Sequence, residues 1–294
     1  MKLEYQSNKS QTINDILKNN FKFSTNFIKF LKRNKCIYLN NKQAYVSQIA
    51  NKNDLVSINL DYEEDNTNIV PTKMNLNIVF EDDYLLIIDK PANLAIHPSI
   101  NHYNNSLSNG IKYYYLQNNV SAKIRPVNRL DKDTSGLVIF AKYPFIQDAL
   151  SKQMQNGNFK KYYLAIITGK FNPPEGTIDL PIVRKDNSII ERIVDTNNKD
   201  KKAQAITEYK TIKSNNNYSL VEFHLITGRT HQIRVHSSYL GHPLLGDTLY
   251  GTKSDLIDHQ ALHSYKIEFI HPITNKKISL QSKPNFLNII KDED

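Results

Sequence analysis

Short apolar runs and two distinct periods organise the chain. Ile13, Ile16 and Leu17 recur at helical spacing, and Ser24 or Thr25 is placed to cap a second helix carrying Phe27, Ile28 and Leu31 on one face. Lys29, Lys32 and Arg33 then share the opposite face. Residues 37–39 and 44–46 flank Asn40-Asn41-Lys42 and predict a hairpin, with 56–60 a further strand. Beyond an interruption, Leu85-Leu-Ile-Ile88 predicts a buried strand ending before Lys90-Pro91, residues 137–142 a second and 161–168 a third. Ile146, Ala149, Leu150, Gln153 and Met154 follow the helical period, and Gly157 supplies a stop. Residues 219–226 alternate, with Val221, Phe223 and Leu225 on one face; Thr230 then opens a helix through Leu240, ended by Gly241. With no repeat and no regular βαβ alternation, the expected class is α+β, built on a mixed, largely antiparallel sheet flanked by helices.

The interruption is compositional. Residues 1–59 hold ten basic and three acidic side chains, after which Asp61-Tyr-Glu-Glu-Asp65 and Pro71 read as a linker. The expected division is a small unit at 1–62, a linker at 63–75 and a large unit at 76–294. A chain of 294 residues, 39% hydrophobic and 23% charged, can bury a full core without metals or disulfides. No apolar run reaches membrane-spanning length, the N-terminus lacks a signal-type apolar segment, and Cys36 is the single cysteine. Those features predict a soluble, cytoplasmic protein.

Charge narrows the partner. Thirty-eight basic against 29 acidic residues give +9, which favours a polyanion. The basic residues are 31 lysines and only seven arginines, in a chain with 35 asparagines. Where lysine is the default cation, an arginine marks a need for the planar, two-pronged guanidinium. Four of the seven, Arg125, Arg129, Arg229 and Arg234, fall in two short segments. Nucleotide phosphate loops, dinucleotide fingerprints and nucleophile elbows are absent from the sequence. His231, His236 and His242 miss the spacing of a helical zinc site. Side-chain chemistry with no cofactor and no metal is therefore expected.

The segment Arg125-Pro-Val-Asn-Arg-Leu-Asp-Lys-Asp-Thr-Ser-Gly136 sets Asp131 and Asp133 in a loop ahead of a buried strand. On composition alone this could be a turn whose polar side chains satisfy local backbone groups. The segment resembles the catalytic motif of the RluA-type pseudouridine synthases, H-R-L-D-x-D-T-S-G followed by an apolar strand. Four further stretches resemble the same family in order and spacing. They are the strand and turn at 80–98, Lys161-Tyr-Tyr-Leu-Ala165, Thr227-Gly-Arg-Thr-His-Gln-Ile-Arg-Val-His236 with 241–251, and the segments at 261–263 and 269–272. The resemblance covers about 78–283. It departs at Asn128, where His is common, and at Asn93, where Gly is common; Asn tolerates a left-handed backbone. The first unit resembles the S4-type RNA-binding domain, with Lys29, Lys32 and Arg33 as its RNA-facing residues.

The resemblance implies a pseudouridine synthase fold and an RNA isomerase that flips a uridine out of its stack. Asp131 is then the nucleophile or electrostatic partner at C1′, or the group that attacks C6 of the base. Arg229 is its ion-pair partner, Tyr163 stacks on the uracil and shuttles a proton, Arg129 fills the gap left in the RNA, and Asp133 is structural. An S4-type unit ahead of this domain favours ribosomal over transfer RNA, and the family resemblance implies a monomer needing no protein partner. The competing readings are a non-catalytic RNA-binding or ribosome-assembly factor, which needs no buried carboxylate, and a small-molecule nucleoside hydrolase, which the charge disfavours.

Overall fold

The computed structural model describes residues 2–62, 68–100, 102–197 and 203–290. The N-terminal unit is a four-stranded sheet in the order β1 (Lys2–Gln6), β6 (Leu55–Asn59), β3 (Ile37–Leu39), β4 (Lys42–Gln43). Beside it, β2 (Gln11–Thr12) pairs with β5 (Ile49–Ala50). Helix α1 (Ile13–Asp15) continues as a π turn, Ile16–Asn20, and α2 spans Thr25–Arg33. Ser24 caps α2 by accepting from the Phe27 amide, and Phe27, Ile28 and Leu31 are its buried face. Asn40 and Asn41 both take positive φ, the backbone a tight two-residue hairpin turn requires.

The large unit is a nine-stranded sheet in the order β11 (Glu175–Asp179), β14 (Ile206–Ser214), β15 (Tyr218–Leu225), β10 (Lys160–Thr168), β16 (Leu262–Ile270), β9 (Ser135–Ala141), β8 (Leu85–Lys90), β7 (Ile78–Glu81). The remaining strand, β17 (Lys277–Gln281), pairs with β16, and a separate hairpin joins β12 (Ile182–Arg184) to β13 (Arg192–Val194). Among the described residues every pairing is antiparallel except that of β9 with β16, where Ser135 and Gly136 run parallel to His263 and Ser264. Gly136 has φ +112°, and a β-carbon there would lie 2.4 Å from the Ser264 carbonyl oxygen. Only glycine lets the strands meet at this seam.

Strands β8 and β9 are apolar on both faces because both are covered. One face packs against α3 (Leu107–Gln117) through Leu86, Ile88, Val138, Phe140, Ile111 and Tyr115. The other meets α4 (Pro144–Gln155) through Leu85, Ile87, Leu137, Ile139, Ile146 and Leu150. That second core runs on into the N-terminal unit: Phe23 and Phe27 pack on Phe145 with ring centroids 5.1 and 5.4 Å away. The two units thus share one hydrophobic core. The end of the expected linker is also tied down, since Asn109 donates to the Val70 carbonyl and Thr72 bonds to Asn104 and Asn109. The acidic part, residues 63–67, lies outside the described residues. Among the described residues no helix is long and apolar enough to cross a membrane.

Candidate active site

The parallel seam builds the site. The loop ahead of β9 carries Asp131, β10 carries Tyr163, and α5 (Gln232–Tyr239), which follows β15, carries Arg234. All three line a cavity of about 580 Å³ whose apolar walls include Leu130, Ile233 and Leu262.

Asp131 is held from two sides. Behind its loop, the fully buried Lys90 donates to the carbonyls of Pro91, Leu94 and Lys132, stapling the 91–94 turn to the 131–133 loop. Burial pushes the Lys90 pKa down to about 7, against the opposing pull of Asp133, Asp131 and Asp89. Asp133 is thus part of the loop's charge balance rather than of the cavity lining.

In front, Arg234 Nη1 donates to Asp131 Oδ2 at 3.2 Å. The same guanidinium forms a two-pronged pair with buried Asp247, Nε to Oδ2 at 2.7 Å and Nη2 to Oδ1 at 2.8 Å. Burial works against the Arg234 charge, yet the bonds and charge of Asp247, then of Asp131, raise its pKa above the ordinary value. Burial likewise opposes ionisation of Asp247, and Arg234 overcomes it, holding that carboxyl below its usual range.

His231 completes the shell. It begins α5 in a left-handed conformation, φ 59°, with Nε2 3.7 Å from Asp131 Oδ2. Its Nδ1 meets the Tyr250 hydroxyl at 2.8 Å, and that hydroxyl accepts the Arg192 amide at 2.9 Å. Burial lowers the His231 pKa, which keeps the ring neutral. Tyr163 is buried beneath these groups; burial, then the charge of Asp131, raises its pKa and keeps the phenol protonated.

A family model for RNA pseudouridylate synthases matches residues 84–239, which contain Asp131, Tyr163 and Arg234. The chain belongs to this family. An uncharacterised RNA pseudouridine synthase of Bacillus subtilis, YhcT, is 40% identical over 270 residues, covering 91% of this chain and 88% of the relative. A protein of Zymomonas mobilis named ribosomal large subunit pseudouridine synthase D is 36% identical over 227 residues, 72% of this chain and 70% of its own length. Among solved structures, human RNA pseudouridylate synthase domain containing 1 superposes with a TM-score of 0.61 at 23% identity, over 74% of this chain and 86% of that one. The fold is that of a pseudouridine synthase, and the chain is an isomerase acting on RNA.

Asp131, Tyr163, Arg129 and Arg229, all expected at the site, line the cavity. The guanidinium on Asp131, however, is that of Arg234 and not Arg229. Arg229 sits in the turn before α5, exposed, with Nε donating to the Gln204 carbonyl at 2.9 Å. Arg234 lies within α5, whose side chains lean toward the helix N-terminus and so toward the Asp131 loop. Arg129 is exposed at the rim. Lys29, Lys32 and Arg33 are exposed on α2 and do not line the cavity. Asn128 does not touch Asp131: its amide donates to the Leu137 carbonyl and accepts from the Ile139 amide, pinning the loop to β9. Asn93 takes φ 62°, the left-handed turn expected of it. Lys90, His231, Arg234 and Asp247 escaped sequence reasoning, though arginine scarcity already singled out Arg234.

Proposed function

We propose that this pseudouridine synthase acts on ribosomal RNA, as a cytoplasmic monomer, with Asp131 as its nucleophile. The observation that carries the reading is a partly exposed carboxylate held by a buried guanidinium over a buried tyrosine, with no second carboxylate lining the cavity among the described residues. A glycosidase needs a second acid to protonate its leaving group. Uracil leaves as a resonance-stabilised anion, so one carboxylate suffices. The C1′–N1 pair departs with N1 while Asp131 bonds to, or stabilises, C1′. The base turns, C5 bonds to C1′ and releases Asp131, and the C5 proton is lost as N1 gains one. Nothing is oxidised.

Arg234 bonds Asp131 and holds it toward C1′, and Tyr163 stacks on the base as a neutral donor. Arg129, exposed at the rim, occupies the place of the flipped base, and Lys29, Lys32 and Arg33 supply phosphate contacts from an S4-type unit. Relatives named ribosomal large subunit pseudouridine synthase D favour ribosomal RNA. The test is pseudouridine mapping on unmodified ribosomal and transfer RNA incubated with wild-type protein or Asp131→Ala. A ribosomal uridine converted only by the wild type supports the reading. Conversion confined to transfer RNA overturns the substrate, and conversion by both proteins overturns the nucleophile.

A further inference from the structure

Among the described residues, Lys161 lines the active-site cavity without an ion-pair partner. Lys161 and Tyr163 are two residues apart on β10, so both face the cavity. Tyr163 is buried, whereas Lys161 is half-buried beside the exposed residues Gly228 and Arg229. Two residues of strand span roughly 7 Å, about the reach from a base to the phosphate of its own nucleotide.

Arg234 is spent on Asp247 and Asp131, and Arg229 Nε on the Gln204 carbonyl. Among the described residues no acceptor lies within hydrogen-bonding distance of Lys161 Nζ. Burial alone lowers its pKa, and no carboxylate opposes that shift. The backbone also comes close to the ammonium: a β-carbon at Gly228 would sit 3.3 Å from Lys161 Nζ. A half-buried cation without a counter-charge is costly, and it persists where a ligand brings the missing anion. Uracil is neutral until C1′–N1 breaks, whereas the phosphodiester carries its charge from the first encounter.

We propose that Lys161 is a phosphate-binding residue that grips the RNA backbone phosphate beside the flipped uridine, while Tyr163 and Asp131 hold its base and sugar. The assignment rests on the activity proposed above, but its test does not need turnover. Binding of an unmodified ribosomal RNA transcript is measured across a salt series with wild-type protein, Lys161→Gln and Lys161→Glu, whose folding is checked by thermal melting.

The Gln variant is expected to bind roughly ten- to hundredfold more weakly at low salt, the loss of one charge-assisted hydrogen bond. Its slope of log affinity against log salt should be shallower by about 0.7–0.9, and the Glu variant weaker still. At saturating RNA the Gln variant should lose less in turnover than it loses in affinity. With the modified uridine located, a neutral methylphosphonate at the contacted phosphate should erase the difference between wild type and Lys161→Gln. Unchanged affinity and slope, or a loss confined to kcat, overturns the proposal; the second outcome would place Lys161 on the departing uracil instead. Wild-type protein that binds RNA but converts no uridine would sink the proposed activity and leave the salt slope to decide Lys161.

Discussion

Replacing Arg234 by Gln removes one guanidinium from two carboxylates, and the two losses are separable. Asp247 is 1% exposed and would keep only the Leu249 and Tyr250 amides, at 3.0 and 3.1 Å, with no counter-charge. Breaking a buried ion pair in this way costs about 3–5 kcal/mol. At about 2–3 °C per kcal/mol for a chain of this size, the melting temperature should fall by roughly 6–15 °C. Asp131 loses its 3.2 Å bond, a charge-assisted contact whose removal should cost single-turnover pseudouridine formation roughly 10²-fold at saturating RNA. Adding Asp247→Asn removes the stranded charge, so the double variant should regain much of the melting temperature and none of the rate. Arg229→Gln is the control: its exposed bond to Gln204 predicts a stability change within about 0.5 kcal/mol and near-normal turnover once RNA saturates. If Arg229→Gln abolishes turnover at saturating RNA while Arg234→Gln preserves it, the assignment of the guanidinium is refuted.

Three further outcomes are open to measurement. His263, buried between the Ser135 and Ser282 hydroxyls, has its pKa pushed down to about 4 by burial, whereas an unfolded histidine protonates near 6.5. The unfolded chain binds more protons between those values, so stability present above pH 6.5 should be lost as pH falls to 4, by about 3 kcal/mol; urea midpoints across that window should flatten in His263→Gln. Phe145→Ala should cost about 3–5 kcal/mol and, by loosening Phe23 and Phe27, speed proteolysis between residues 61 and 75; unchanged cleavage would mean the shared core does not hold the units together. Gly136→Ala combines a left-handed φ with a 2.4 Å clash against the Ser264 carbonyl, so it should destabilise the protein by at least about 3 kcal/mol and lose activity; a near-native melt would contradict the seam geometry.

Elements with strong apolar runs and clear stops were legible. Strands β8, β9, β10 and β15 announce themselves by buried or alternating positions, and α4 and α5 by helical period with Gly157 and Gly241 beyond their ends, both at positive φ. Other elements are defined by neighbours rather than by local pattern. Strand β1 turns only Leu3 and Tyr5 inward, too few to mark it alone, and forms by pairing along β6. Helix α3 contains Gly110, a poor helix former, beside three consecutive tyrosines, and reads ambiguously. It is fixed by a capping box at Ser106 and by Gly110 packing closely on Met74 and Leu76. The parallel seam and the shared core both join residues far apart in sequence, so local periodicity carries no trace of them. The choice between Arg229 and Arg234 has the same character. Both lie in one motif, and which of them faces Asp131 depends on where α5 begins and how it is set against the β9 loop.

The division of labour between Asp131 and Asp247 follows from how one guanidinium is shared. Asp247 takes its two shortest bonds and two backbone amides, is wholly buried, and has no freedom left. Asp131 takes a single longer bond through Oδ2, and its side chain stays 30% exposed to the cavity. It gains a fixed neighbouring charge without having both oxygens saturated, which is the condition a nucleophilic carboxylate needs. A lysine could not serve both acids, because its three donors radiate from one nitrogen whereas the guanidinium presents separate edges. In a chain that otherwise uses lysine for positive charge, that geometric demand accounts for the arginine at position 234. The same reasoning gives Lys161 a different task, since a lone ammonium with open approach suits a phosphate that arrives from outside.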